Sequence, residues 1–230
     1  MANRPVPHHF RLSDDAIRRV TARQGKPHLI DVVTAGTTAL VVVDMQTYFI
    51  GDGMPAAAPV AKEIVPAINQ IAGALRMAGG IVIWIITDGS PAASDNWSGY
   101  RALHSDAAWK RRQTLLSRDG AGYPLWPELR TDRDDITVVK TRYSAFAPDS
   151  SDLDATLRQR GVDTLLIAGT ATGVCCQTTA VDAMQHNYRV AMLSDALAAQ
   201  SDAEHAGALN QFYLRFGDVL TTQETIDRLR

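Results

Sequence analysis

Three side chains that could act together in nucleophilic catalysis come at or soon after the ends of predicted strands: Asp44, Lys140 and Cys175. A cysteine supplies a nucleophile, a carboxylate can take its proton, and an ammonium group can hold both by charge. We expect Cys175 near the start of a helix beginning around Val174, where the helix dipole and the Lys140 ammonium would lower the pKa of the thiol. Taken singly, each residue has a commoner role: a turn cap for Asp44, a surface base for Lys140 and core packing for Cys175.

The elements that must position these side chains alternate along the chain. Short apolar runs predict strands over residues 39–43, 81–86, 136–139, 164–168, 189–193 and 218–220. Helical spacing and capping signals predict helices over residues 14–23, 59–78, 152–160, 174–186 and 202–215, with a terminal helix after the last strand. This alternation predicts an α/β fold: a three-layer, doubly wound, mostly parallel six-stranded sheet with helices on both faces. Ligands of such sheets bind beyond the carboxyl ends of the strands, where the three side chains would meet.

The chain divides into two predicted parts. Residues 1–37 are mixed and polar and are expected to form an N-terminal arm that packs on the domain or on another subunit, and residues 38–230 form the predicted domain. Within the domain, residues 87–135 are rich in Gly, Pro, Ser and Trp. Long insertions of this kind often form lids or binding loops, so this segment is predicted to determine specificity.

Composition limits the classes of partner. A formal charge of −2 and a pI near 6.3 give no general field that would attract nucleic acid or an anionic membrane. The apolar runs are far shorter than the roughly 20 residues of a membrane span, and the N-terminus has no signal-like apolar region. The two cysteines are adjacent, which disfavours a disulfide between them. We therefore expect a cytoplasmic protein whose partner is a small-molecule substrate, with neither nucleic acid nor membrane.

Three segments together resemble a known family. They are LVVVDMQ (40–46), KTRYSAF (140–146) and AGTATGVCCQTTAVDA (168–183), and they occur in the order of the signature segments of the isochorismatase-like cysteine hydrolases. The similarity extends over roughly residues 38–220. The sequence is accordingly identified as a member of that superfamily.

The resemblance implies a catalytic triad of Cys175, Asp44 and Lys140. It also implies a cis peptide bond between Thr170 and Ala171, and an oxyanion hole formed by the N–H groups of Ala171 and Cys175. The implied reaction is attack of the Cys175 sulfur on an amide or ureido carbonyl, followed by hydrolysis of a thioester. No metal and no cofactor are expected.

Within the superfamily, the segments resemble those of ureidoacrylate and N-carbamoyl amide hydrolases most. The implied activity is hydrolysis of a C–N bond, other than a peptide bond, in a small linear amide or ureido (N-carbamoyl) substrate, with release of ammonia or an amine. Nicotinamidases of the family use a metal site with histidines soon after the second strand, whereas the corresponding TDGSPAASDNW (87–97) has none. Isochorismatase-type hydrolysis, nicotinamidase-type hydrolysis and a non-catalytic ligand-binding relative remain alternatives.

Six residues are predicted to bind the substrate: Gln46, Phe49, Trp97, Arg142, Tyr143 and Phe146. Arg142 is either an anchor for a substrate carboxylate or an ordinary surface base. Two positions depart from the family pattern: Cys176 follows the nucleophile where an aliphatic residue is usual, and Gly173 stands where Asn or Asp is common. The resemblance further implies a homodimer or homotetramer.

Overall fold

A computed structural model describes residues 8–230, which build six strands into one sheet. The strands are β1 Thr38–Val43, β2 Ile81–Thr87, β3 Ile136–Lys140, β4 Thr164–Thr170, β5 Arg189–Ala198 and β6 Asp218–Leu220. Their order across the sheet is β3-β2-β1-β4-β5-β6, and every neighbouring pair is parallel. The chain moves outward from β1 to one edge, returns to β4 and continues to the other edge. The predicted doubly wound α/β fold is confirmed.

Ten α-helices connect and cover these strands in the described part of the chain. They are α1 Asp14–Gln24, α2 Thr47–Ile50, α3 Val65–Met77, α4 Pro91–Ser94, α5 Ser98–Arg101, α6 Asp106–Leu116, α7 Leu153–Gln159, α8 Gln177–Gln185, α9 Asp202–Arg215 and α10 Thr222–Asp227. A 3₁₀ turn, Ala35–Thr37, precedes β1, and a π-helical turn, Thr172–Cys176, precedes α8.

The three layers follow from the alternation of side chains along buried strands. All six residues of β1 are buried. Val41 and Val43 belong to the core shared with α1, α7, α8 and α9, whereas Leu40 and Val42 belong to the core shared with α3. Because successive side chains of a strand point to opposite faces, a continuous apolar run can fill both cores at once.

Two predicted elements need correction, and a third segment gains a structure. Residues 59–64 form turns and α3 begins at Val65, where Pro66 suits the first helical turn because its missing N–H has no partner there. β5 continues to Ala198, five residues beyond its predicted end at Leu193. The segment 87–135, for which the sequence predicts a role in specificity but no conformation, contains α4, α5 and α6.

The described part of the arm packs on the domain. Ser13 caps α1 by accepting a hydrogen bond from the N–H of Ala16 at 3.1 Å, and the helix buries Ala16 and Val20 in the sheet core beside α9. His28 Nδ1 lies 2.8 Å from Asp218 Oδ1 in β6. Residues 1–7 of the predicted arm lie outside the described residues. The division of the chain after residue 37 stays a prediction.

Gly169 lets β1 and β4 approach closely where both strands reach the ligand-binding edge. Its φ is 112°, and a Cβ on it would lie 2.1 Å from the carbonyl oxygen of Val43. Only glycine fits such a position without moving the backbone. The end of β1, which carries Asp44, is therefore held against the end of β4.

Among residues 8–230, no helix is long and apolar enough to cross a membrane.

Candidate active site

The sheet brings Asp44, Lys140 and Cys175 together at the carboxyl ends of three strands. Asp44 follows β1 and has a φ of 53°, a left-handed conformation that turns the chain away from the strand. Lys140 is the last residue of β3 and not, as predicted, the residue after it. Cys175 follows β4 in the π-helical turn. The peptide bond between Thr170 and Ala171 is cis, as the resemblance implied.

Lys140 contacts both of the other predicted catalytic side chains. Its Nζ lies 2.8 Å from Asp44 Oδ2 and 3.6 Å from Cys175 Sγ. It also donates to the carbonyl oxygen of Arg142 at 3.1 Å. All three predicted catalytic residues are buried, so these charges interact with little screening by water.

Thr87, which the sequence argument did not select, links the carboxylate to the ammonium. Its hydroxyl accepts from Lys140 Nζ at 2.7 Å and donates to Asp44 Oδ1 at 2.8 Å. This position is the last residue of β2, between β1 and β3 in the sheet. The sequence did contain a signal for this role, because Thr87 carries a hydroxyl directly after the predicted strand 81–86.

The two oxygens of Asp44 are not equivalent. Oδ1 accepts the Thr87 hydrogen bond. Oδ2 is buried and has no hydrogen bond, because its 2.8 Å contact with the Lys140 ammonium is an ion pair outside hydrogen-bond geometry. In the resting site Oδ1 thus has a hydroxyl as its polar partner and Oδ2 has an ammonium group.

The thiol of Cys175 is not the low-pKa thiol that we predicted. Burial raises the pKa of Cys175 to about 12; the Lys140 ammonium works in the opposite direction, and the Asp44 carboxylate raises the pKa further. Burial alone would lower the pKa of Lys140, but its ion pair with Asp44 and its contact with Cys175 outweigh burial and raise that pKa above its usual value. The resting site thus holds an ammonium beside a neutral thiol.

The position of Cys175 explains part of this difference. The prediction placed it at the N-terminus of an α-helix, but α8 begins only at Gln177, and Cys175 lies inside the π-helical turn. In that turn the N–H groups of Val174 and Cys176 both donate to the carbonyl oxygen of Ala171, at 3.0 and 3.3 Å. The carboxylate at the thiol further offsets whatever stabilisation the α8 dipole supplies.

The residues flanking Cys175 face away from the cavity. Cys176 is fully buried in the core, with its sulfur 4.0 Å from the carbonyl oxygen of Ala168. Thr172 Oγ1 lies 3.0 Å from Nδ1 of His205, a fully buried histidine on α9. A Cβ on Gly173 would lie 3.4 Å from Cβ of Ala208 on α9, so Gly173 borders that helix.

A cavity of about 560 Å³ opens above Cys175, within the range typical of small-molecule sites. Four of the six predicted substrate-binding residues line it: Phe49, Trp97, Arg142 and Tyr143. The segment 87–135 also contributes side chains that were not predicted, namely Tyr100, His104, Arg111 and Arg112. Tyr48, Thr87 and Lys140 complete its polar lining.

The structure places the other two predicted substrate-binding residues elsewhere. Gln46 is fully buried; its amide accepts from the N–H of Thr87 at 2.7 Å and donates to the carbonyl oxygen of Tyr123 at 2.8 Å. Gln46 therefore holds the end of β2 and has no amide group left to face the cavity. Phe146 packs against His186 and Tyr188 on the α8 side of the sheet.

Within residues 8–230, no three His, Cys, Asp or Glu side chains converge in a way that could hold a metal ion.

Comparison with known proteins supports the same assignment. The Isochorismatase domain family matches residues 38–224. A ureidoacrylate amidohydrolase, RutB, from Stutzerimonas stutzeri is 37% identical over 182 residues, covering 70% of this chain and 70% of the relative.

Solved structures agree. A cysteine hydrolase from Pseudomonas syringae pv. phaseolicola superposes with a TM-score of 0.77 at 32% identity, covering 85% of this chain and 93% of that one. An N-carbamoylsarcosine amidase from Thermoplasma acidophilum superposes with a TM-score of 0.65 at 27% identity, covering 81% and 96%. The prediction of a hydrolase for C–N bonds other than peptide bonds agrees with the names of these relatives. The chain belongs to the isochorismatase family.

Proposed function

We propose that the protein is a cysteine-dependent amidohydrolase that cleaves a C–N bond of a small linear amide or ureido substrate. One observation carries the proposal: the Lys140 ammonium contacts both the Asp44 carboxylate, at 2.8 Å, and the Cys175 sulfur, at 3.6 Å, below a cavity that Cys175 lines. The relatives named above include a ureidoacrylate amidohydrolase and an N-carbamoylsarcosine amidase. These names support an amide or ureido substrate class.

The proposed first step begins with the neutral thiol. Asp44 takes the thiol proton as the Cys175 sulfur attacks the substrate carbonyl, and the carbonyl electron pair moves to oxygen. The N–H groups of Ala171 and Cys175 are the proposed donors to that oxyanion. Asp44 then returns the proton to the leaving nitrogen, which departs as ammonia or an amine.

The second step restores the enzyme. Expulsion of the leaving group yields a thioester, or a thiocarbamate if the substrate is a ureido compound. A water molecule attacks the acyl carbon through its oxygen while Asp44 takes one of its protons. Asp44 then passes this proton to the departing Cys175 sulfur. Lys140 is proposed to be protonated in the resting site, where its interactions with Asp44 and Cys175 outweigh burial and raise its pKa.

Ammonia release by the wild type and by Cys175→Ala tests the proposal. The panel is ureidoacrylate, several N-carbamoyl amino acids, maleamate and nicotinamide. We expect release from a ureido or linear amide compound that disappears in the variant. Cys176→Ala is the matched control, since it removes the neighbouring thiol from the core while leaving the cavity lining intact. Equal release by wild type and Cys175→Ala for every compound contradicts the proposal and favours isochorismatase-type chemistry or a binding function.

We also propose that the enzyme acts as a homodimer or homotetramer in the cytoplasm. Light scattering coupled to size-exclusion chromatography measures the mass in solution, and a monomer contradicts the first half of this proposal.

A further inference from the structure

Arg112 is a buried cation in the wall of the catalytic cavity. It lies on α6, whose buried face is formed by Trp109, Arg112 and Leu116, and only 6% of Arg112 is exposed. A Cβ on Gly89 would lie 2.8 Å from Arg112 Nη1, so the guanidinium packs directly against the turn that follows β2. α6 thus carries a charged side chain on its buried face, where helical periodicity predicts an apolar residue.

No anion in the described part of the chain compensates this charge. Arg112 forms no ion pair and no hydrogen bond with residues 8–230, and its Nη1 is buried without a partner. The ring centroids of Tyr100 and Trp109 lie 5.1 and 5.6 Å from its Cζ. Such cation–π contacts reduce the cost of burial but give Nη1 no hydrogen-bond acceptor among residues 8–230. Burying an unpaired charge costs stability, which indicates that a partner arrives from outside.

The other cations of the cavity already have partners. Lys140 pairs with Asp44, and Arg111 donates to the carbonyl oxygen of Gly53 at 3.3 Å. Arg142 donates to the carbonyl oxygen of Thr141 at 3.0 Å and to Asn96 Oδ1 at 2.8 Å, and it stacks on Trp97. Among the described residues that line the cavity there is no Asp or Glu, so a ligand must supply the anion for Arg112.

We propose that Arg112 binds a carboxylate of the substrate, at the opposite end from the carbonyl that Cys175 attacks. This proposal rests on the proposed function, which it deepens by defining the substrate as a small amido or ureido carboxylic acid. A guanidinium matches a carboxylate in two parallel hydrogen bonds, and one buried guanidinium balances one monoanion. The aromatic rings of Tyr48 and Phe49 line the space beside it. Arg142, which the sequence suggested for this role, already donates to Thr141 and Asn96.

Binding to an inactive enzyme separates this proposal from the proposed function, because binding requires no turnover. Isothermal titration of Cys175→Ala would use three pairs that differ only in a carboxylate or a methyl group. The pairs are succinamate and butyramide, 3-ureidopropionate and propylurea, and 4-ureidobutyrate and butylurea. We expect at least one carboxylate to bind roughly tenfold or more tightly than its neutral counterpart, and Arg112→Gln to remove that preference, a loss of roughly tenfold to hundredfold.

Three further variants, each combined with Cys175→Ala, define the result. Lys110→Gln removes the same charge from the same helix outside the cavity lining, and it should leave the preference unchanged. Arg112→Lys keeps the charge but not the planar fork, and it should restore only part of the preference. Thermal unfolding verifies that each variant is folded. If Arg112→Gln does not fold, the carboxylate preference of Arg112→Lys tests the proposal in its place. The proposal is wrong if no carboxylate binds more tightly than its partner, or if Arg142→Gln, and not the Arg112 variants, abolishes the preference.

Discussion

Replacing Asp44 by Asn should make Cys175 more reactive towards alkylation while stopping turnover. In the wild type the carboxylate neutralises the Lys140 ammonium at 2.8 Å and also raises the pKa of the Cys175 thiol. Asparagine has nearly the same shape and can still accept the Thr87 hydrogen bond, but it carries no charge. The ammonium is then left to pair with the sulfur.

The structure sets the size of this effect. A thiolate and an ammonium 3.6 Å apart attract one another by about 4 to 5 kcal/mol at an effective dielectric constant of about 20. That energy corresponds to about three pH units. In the wild type the Asp44 carboxylate opposes this attraction, and Asp44→Asn removes that opposition. We therefore expect the midpoint of Cys175 alkylation to fall in Asp44→Asn by up to about three pH units, the value of the full attraction.

Alkylation by iodoacetamide between pH 6 and 11, followed by mass spectrometry, locates the midpoint of Asp44→Asn. The wild type, whose Cys175 pKa is about 12, should stay mostly unreacted over the same range. Both proteins should carry Cys176→Ala, because the two cysteines are adjacent and a label on either would appear in the same proteolytic fragment. Ammonia release should fall by roughly a hundredfold to ten-thousandfold in Asp44→Asn, since the proton acceptor is lost. An alkylation midpoint that stays in place or rises would refute the argument that the carboxylate keeps the thiol protonated.

The remaining predictions concern the support of the site and the attachment of the arm. Thr87→Val keeps the shape but removes two hydrogen bonds, so kcat for ammonia release should fall roughly tenfold to hundredfold and the free energy of unfolding by roughly 1 to 3 kcal/mol. Gly169→Ala should lower the free energy of unfolding in urea by roughly 3 kcal/mol; Gly207→Ala, in a helix with open space around it, should raise it by roughly 0.5 to 1 kcal/mol and serves as the control. The hydrogen bond to Asp218 raises the pKa of His28, so its stabilisation is present below the usual pKa near 6.5 and is lost as pH rises through the raised value. The gap in Tm between wild type and His28→Gln should therefore be larger at pH 5.5 than at pH 8.5, and a constant gap would contradict this account.

The fold could be predicted because the central strands are continuous apolar runs that only a doubly covered sheet can bury. The same logic put Asp44 and Lys140 at one edge, since parallel strands end together. The pattern of residues also placed Cys175 soon after the fourth strand, and the resemblance added the cis peptide bond in the turn before it.

Side-chain direction and burial could not be predicted in the same way. Gln46 is two residues from Asp44, yet the left-handed turn at Asp44 sends its amide to the backbone of β2. The pKa of Cys175 depends on the depth of the site, which arises only when the turn packs on α9. Arg112 was missed because arginines on short helices usually face water, and its burial depends on the packing of α6 over Gly89.

The contact of Gly169 with Val43 has a consequence for how new activities could arise on this scaffold. It ties the strand of the proposed base to the strand of the proposed nucleophile through backbone atoms, so side-chain changes elsewhere leave that spacing unaltered. The helices α4 to α6, which supply Tyr100, Arg111 and Arg112, are joined to the sheet only through the ends of β2 and β3 along the chain. Mutant libraries confined to these helices should therefore change which substrates are accepted and leave the arrangement of the proposed catalytic residues unchanged.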